Sequence, residues 1–414
     1  MNRHFVSLVF IIIAGEAIFM PPFVIPRLYR PVMLQAWGLT NTDFGSAFAA
    51  YGITALISYL IGGPLADRYH PRILMSSSLV LTALGGVYLA LFPSVTALVA
   101  TYGFFGVSTI LLFWGALIKT THVAGGDDRR SLAMGILDSG RGLTAAVFAS
   151  FLVVTLAVIQ SQTTSAPMQI VQTIYFLTAG LLVLVAVGIW FSLTGSIESA
   201  VSHEWKISKT FKCLKDPNVW LLSIVILGSY CGYKGIDNYS IYLVDVHKLD
   251  ATAASRLTSI VFWLRPVAAL LAGFTADKLH RKNGLGRFQV LSALLLLGGL
   301  SQFLLAALGA NILAYSFLTI IFSSTFVYAL RAIYFSIFGD LKIPDQLVGT
   351  TVGIVSFVGF MPDIFFGFVT GRLIDSHAGS QGFQLAFMFT GACLILGATA
   401  SYAMYRRSRR RVTI

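Results

Sequence analysis

Nine ionisable residues stand inside long apolar runs of the 414-residue chain: Glu16, Lys119, Asp138, Arg141, Lys234, Asp237, Arg265, Arg331 and Asp363. A charge at the bilayer centre costs about 2.5–3.5 kcal/mol on insertion scales, so such residues persist where they pair inside a bundle or face a wet cavity. Asp138 with Arg141, and Lys234 with Asp237, are three apart, which puts each pair on one helix face and lets it form an ion pair. Arg265 has Val261, Phe262, Ala268 and Ala269 one turn away. Its partner must come from elsewhere: Asp363 or Asp237 on another segment, or an anionic ligand. The planar guanidinium fork suits a carboxylate, sulfonate or phosphate. Arg331 has no acid within a turn, and leaves open a substrate contact or a gate salt bridge. Tyr230 and Tyr233 share a stripe with Lys234 and Asp237, poor surface for lipid and a good wall for a binding site. Arg27 and Arg30 flank Tyr29 at the outer end of the first run. There an arginine either snorkels to headgroups or, on a longer helix, turns into an outer vestibule. Glu16 and Asp363 are the carboxylates placed to load and release a proton, with Asp237 a third candidate.

These residues need helices that cross a membrane. The chain is 56% hydrophobic and 11% charged, against about 25% charged in soluble domains. Twelve apolar segments near the ~20 residues needed to span a bilayer are expected near 5–26, 44–66, 73–92, 97–121, 131–159, 169–192, 217–245, 253–276, 286–308, 311–335, 347–371 and 382–405. The longest polar stretch, 193–216, separates an N-terminal six-helix bundle, 1–192, from a C-terminal one, 217–414. With alternating loops, Arg68, Arg72, Arg129, Arg130, Lys278, Arg281, Lys282, Arg287 and the tail Arg406 to Arg411 share one face. The other face holds only Arg27, Arg30, Lys248, Arg256 and Arg372. Both termini are therefore expected in the cytoplasm. Bases scattered over one membrane face exclude a nucleic-acid partner, and the tail is set against anionic lipid.

The two halves share a pattern. Gly62-Gly63-Pro64-Leu65-Ala66-Asp67-Arg68-Tyr69-His70-Pro71-Arg72 is echoed by Gly273-Phe274-Thr275-Ala276-Asp277-Lys278-Leu279-His280-Arg281-Lys282. Gly63 and Gly273 are expected to admit a neighbouring helix, and Asp67 and Asp277 to meet backbone N–H groups at a helix end. The stretch resembles the signature loop between the second and third helices of the major facilitator superfamily, repeated between its eighth and ninth. His70 and Pro71 depart from the family's glycine and base. Asp138-Ser139-Gly140-Arg141-Gly142, Trp114-Gly115 with Lys119, Arg331 and Met361-Pro362-Asp363 resemble a bacterial anion-transporting branch related to oxalate, organophosphate and nitrate-type porters. That resemblance implies an all-α polytopic membrane protein of twelve helices in two pseudo-symmetric six-helix bundles, in the bacterial inner membrane. It implies a small organic anion as cargo: a carboxylate, sulfonate, sugar acid or carboxylate-type siderophore.

The expected function is proton-coupled secondary transport by alternating access. Anion exchange, export of a drug or metabolite, and a transporter-like sensor are the alternatives. Arg265, Lys234, Tyr230, Tyr233, Lys119, Arg141, Arg331 and Arg27 are the expected substrate residues, and Glu16, Asp363 and Asp237 the coupling ones. Gly63, Asp67, Arg68, Arg72, Asp138, Gly273, Asp277 and Lys278 are the expected gating set. The chain has no GxxxxGK[ST] run for a nucleotide. Its seven histidines fall at span ends or in loops without ligand spacing, and Cys213, Cys231 and Cys393 suggest neither a metal nor a disulfide framework. No cofactor, no enzyme activity and a monomer are expected.

Overall fold

The computed structural model describes residues 3–91, 94–125, 130–162, 167–193, 214–308, 312–334, 336–337, 351 and 354–412. Most of the stretch 193–216 lies outside the described residues, as do the side chains of Lys119, Gly63 and Asp67. The described residues form helices and short turns, with no strand among them. Eleven helical segments are long and apolar enough to cross a bilayer. A further helix, Asn41–Arg68, has 28 residues, about 42 Å at ~1.5 Å per residue and long enough to cross as well. Exposed Leu184, Phe191, Leu270 and Phe274 are surface that hydrocarbon covers without cost.

The first span departs from expectation. It does not end near Pro26. Helix α1 (Arg3–Ala17) passes into a π-helical turn (Met20–Val24) and then into α2 (Ile25–Trp37). Pro21 and Pro22 lack N–H groups and crowd the preceding turn, so the backbone widens instead of breaking. The Val24 N–H then reaches back five residues to the Phe19 carbonyl, at 3.4 Å. The consequence is chemical. Arg27 and Arg30, for which headgroup snorkelling and an outer vestibule were both open, sit inside the longer helix α2 and are buried, each 2% exposed.

Contacts divide the chain into two compact units. The first holds residues 1–202, 240–263 and 363–375. It contains α3 (Asn41–Arg68), α4 (Pro71–Leu91), α5 (Val95–Gly106), a second π segment (Val107–Trp114), α6 (Gly115–Gly125), α7 (Arg130–Gln162) and α8 (Pro167–Ser192). The π segment frees backbone groups, and hydroxyls satisfy them: Ser78 Oγ donates to the Ser108 carbonyl at 2.6 Å, and Thr109 Oγ1 to that of Phe105 at 2.7 Å. Gly62, the residue before Gly63, meets a neighbouring helix closely. A Cβ on Gly115 would lie 2.9 Å from the Gly62 carbonyl oxygen.

The second unit holds residues 203–239, 264–362 and 376–414. Its helices are α9 (Pro217–Gly235), most of α11 (Ala251–Asn283), α12 (Gly286–Leu308), α13 (Leu313–Ile333) and α15 (Gln381–Val412). The short α10 (Tyr239–Asp245) and α14 (Pro362–Ser376) belong mainly to the first unit. Helices α9 and α15 touch through glycine: a Cβ on Gly228 would sit 2.5 Å from the Cys393 carbonyl oxygen. Carbonyl backbone cannot swing aside, and overpacking costs about 1–3 kcal/mol. Gly228→Val is therefore expected to lower the apparent Tm of the detergent-purified protein by several degrees, read by thermal unfolding.

At Gly273 a Cβ would meet nothing within 4 Å among the described residues. Asp277 pairs with Arg287 at 2.9 Å across the turn before α12. His70 explains its own departure from the motif. Its Nδ1 accepts the Arg72 N–H at 3.1 Å and its carbonyl accepts from Ile73, so it caps α4 with Pro71 as the first helical residue.

Candidate functional site

In the first unit the charges gather between α1, α7 and the second π segment. The Arg141 Nε lies 3.2 Å from Glu16 Oε2, with both side chains buried. This ion pair joins two helices; Asp138, to which the spacing pointed, stands one turn earlier on α7. Phe19, the residue just before the π-helical turn, faces the same guanidinium. Arg141 also lies 5.5 Å from the ring centroids of both Phe19 and Trp114. Desolvated cation–π contacts are worth up to about 2 kcal/mol each, so the guanidinium is held by two faces as well as by a carboxylate. Gly15 makes room for it, since a Cβ there would lie 3.2 Å from Arg141 Cδ.

Aromatic rings continue this wall. Phe23 stacks on Phe48 at 6.0 Å and meets the edge of Tyr51 at 4.7 Å. The Tyr51 hydroxyl bonds to Thr109 Oγ1 at 3.0 Å. Phe23 comes from one π segment and Thr109 and Trp114 from the other. Such segments recur at functional sites because they re-aim side chains that a regular helix would turn away. The sequence reading missed Phe19, Phe23, Phe48 and Tyr51. The signal available was Pro21-Pro22 inside an apolar span, which marks an interrupted helix.

In the second unit Lys234 Nζ lies 3.5 Å from Asp237 Oδ2, the in-helix pair that the spacing suggested. Both side chains are almost fully buried. A short 3-10 turn, Ile236–Asn238, joins α9 to α10 at this point and carries Asp237. Tyr230 and Tyr233 stack at 5.8 Å, Phe360 meets Tyr230 edge-on at 4.9 Å, and Arg331 lies over the Tyr233 ring at 4.0 Å. The stripe is therefore real, and Arg331 comes to it from α13. Behind it is a fully buried polar knot, in which Gln302 Nε2 donates to Tyr239 OH and to Ser323 Oγ, both at 2.8 Å.

The remaining candidates are placed as follows. Arg265 is buried on α11 beside Pro266. Asp363 lies in the first turn of α14, where backbone N–H groups favour a negative charge. The Arg27 guanidinium lies 5.8 Å from the Phe262 ring. Arg72 covers Trp190 on α8 at 4.6 Å, which fastens the first signature loop to its bundle. Arg68 and Lys278 lie against Tyr69 and Phe274. Among the described residues no group of three or more His, Cys, Asp or Glu could hold a metal ion.

The fold and these clusters can be set beside known proteins. Inner membrane protein YqcE of Escherichia coli K12 is 24% identical over 416 residues, covering 98% of this chain and 96% of its own length. Inner membrane protein YihN of the same organism is 23% identical over 410 residues, covering 96% and 94%. Among solved structures, a bacterial homologue of the human lysosomal transporter Spinster, inward-facing and unoccupied, superposes with a TM-score of 0.75. It is 16% identical, with 98% of both chains covered. A mutant of the nucleoside transporter NupG also reaches 0.75, at 12% identity, with 97% of this chain and 100% of its own covered. The model of the Major Facilitator Superfamily matches residues 5–367. The chain belongs to the Major Facilitator Superfamily and is a membrane transporter.

Proposed function

We propose that this transporter carries a small organic anion, namely a carboxylate, sulfonate, sugar acid or carboxylate-type siderophore, and that protons drive it. The observation that carries the reading is the Glu16–Arg141 pair seated between Phe19 and Trp114. A proton on Glu16 removes its hold on the guanidinium, while the two rings keep that guanidinium in place. With that carboxylate neutral, the guanidinium can take up the cargo's acid group. Loss of the proton restores the pair and expels the cargo. Lys234 with Asp237 repeats the logic in the second unit, next to tyrosine faces suited to a sugar ring or other flat body. The carrier is read as two six-helix halves joined by 193–216, monomeric, with both termini cytoplasmic by its loop charges.

The experiment is a thermal-shift screen of the purified protein against organic anions, with matched neutral and cationic compounds. A ligand at a hundred times its Kd stabilises the native state by about 2.7 kcal/mol, which raises Tm by several degrees. Stabilisation by anions supports the reading, and stabilisation by cations alone removes it. A second reading, a neutral ring-bearing metabolite, is favoured by the aromatic walls and by the likeness to a nucleoside transporter. Stabilisation by nucleosides without anions would select it. Glu16→Gln mimics the protonated acid. It is expected to flatten the pH profile of uptake while leaving anion affinity within about threefold, since a neutral hydrogen-bonding partner is kept.

A further inference from the structure

One carboxylate outside both clusters makes more contacts than any structural role within its own helix requires. Asp375 is the penultimate residue of α14, yet it closes the N-terminus of α3, more than three hundred positions earlier. Its Oδ1 accepts the Asn41 N–H at 3.2 Å and the Asn41 side-chain amide at 2.9 Å. Its Oδ2 accepts the Thr42 N–H at 2.6 Å and the Thr42 hydroxyl at 2.5 Å. Helix α3 already has its own cap: Thr40 Oγ1 accepts the Asp43 N–H at 3.1 Å, and Asp43 Oδ2 accepts the Thr40 N–H at 2.8 Å. A helix with a complete capping box does not need a second acid from a distant segment. The extra acid is drawn by the first N–H groups and the positive end of the helix.

The helices behind this contact are shaped for it. A Cβ on Gly45 would collide with the Gly367 carbonyl, one on Gly371 with the Asn41 carbonyl, and one on Gly52 would lie 2.6 Å from the Asp363 carbonyl carbon. Backbone therefore meets backbone along the two helices. Other pieces of the second half of the chain are fastened to the same unit nearby. Ser255 Oγ donates to the Leu28 carbonyl at 2.8 Å, and Trp263 Nε1 to Ser150 Oγ at 3.0 Å. Arg30 donates to the Asn41 carbonyl at 3.3 Å. All of this lies within the first unit, which gathers 240–263 and 363–375 to the helices of the first half.

We propose that Asp375 is the catch of a gate on the membrane face away from Arg68. In the state shown it fastens α14 to α3, and it lets go when that face opens to admit or release cargo. The proposal rests on the transporter assignment and is independent of which cargo is carried.

The test uses Ser255→Cys as a near-isosteric reporter at a buried position, 1% exposed, with Cys213, Cys231 and Cys393 replaced by alanine. A membrane-impermeant maleimide is applied to intact cells, and the labelling rate of Cys at 255 is read. Asp375→Asn weakens the charge-assisted bonds, and Gly45→Ala blocks the backbone approach while leaving Asp375 in place. Each is expected to raise labelling about tenfold, as a shift of a two-state population toward its open form. Folded protein is confirmed by size-exclusion elution in detergent, and either variant suffices should the other fail to fold. Unchanged labelling in a folded variant overturns the gate, and so does faster labelling confined to inverted vesicles.

Discussion

Arg141→Ala is expected to abolish anion binding and uptake while the protein remains folded in the membrane. The guanidinium is the one group in the first cluster that joins a carboxylate to two aromatic faces. A charge-assisted bidentate contact to a buried anion is worth about 2–5 kcal/mol when one partner is truncated, so affinity falls at least thirtyfold. Alanine also leaves Glu16 buried without this partner. Glu16→Gln in the same chain relieves that charge, so the double variant should fold as well as the native protein and still bind no anion. Anion binding at native affinity by Arg141→Ala would remove Arg141 from the site. Isothermal titration with the strongest hit of the thermal-shift screen measures it.

The second large effect concerns stability. Asp237→Ala removes the carboxylate that lies 3.5 Å from Lys234 Nζ, a cation whose side chain is only 2% exposed. Removing one member of a buried ion pair costs about 3–5 kcal/mol, because the survivor keeps its desolvation penalty. The variant is expected to lose most of its monodisperse peak on detergent size-exclusion chromatography. Replacing both residues by apolar ones of similar volume, Lys234→Met with Asp237→Leu, is expected to recover the peak. The recovered protein would show whether the pair also binds cargo, since a purely structural pair would leave affinity unchanged.

The sequence carried the architecture further than the site. Spans and the repeated loop pattern were readable because hydrocarbon imposes a single demand, about twenty apolar residues in a row. The Lys234–Asp237 pair was readable because its spacing lies within one helix. The Arg141–Glu16 pair was not readable for the complementary reason: the two residues lie 125 positions apart, and nothing in one sequence reports a contact between helices. Arg27 and Arg30 kept two placements open, headgroup or outer vestibule, because Pro26 read as the end of the first span. In the structure Pro21 and Pro22 lie in the widened turn at Met20–Val24, and the helix runs on past Pro26 to Trp37. Asp375 offered no local signal, because its partners are backbone N–H groups of a helix that starts at Asn41.

The central claim is that buried bases recognise negative charge. The most direct measurement compares proteoliposome uptake of one radiolabelled carboxylate, chosen from the thermal-shift screen, with uptake of its amide, which has nearly the same shape and no charge. The account predicts saturable uptake of the carboxylate, driven by an inward proton gradient, and uptake of the amide no faster than in protein-free vesicles. Equal uptake of the two compounds would contradict it.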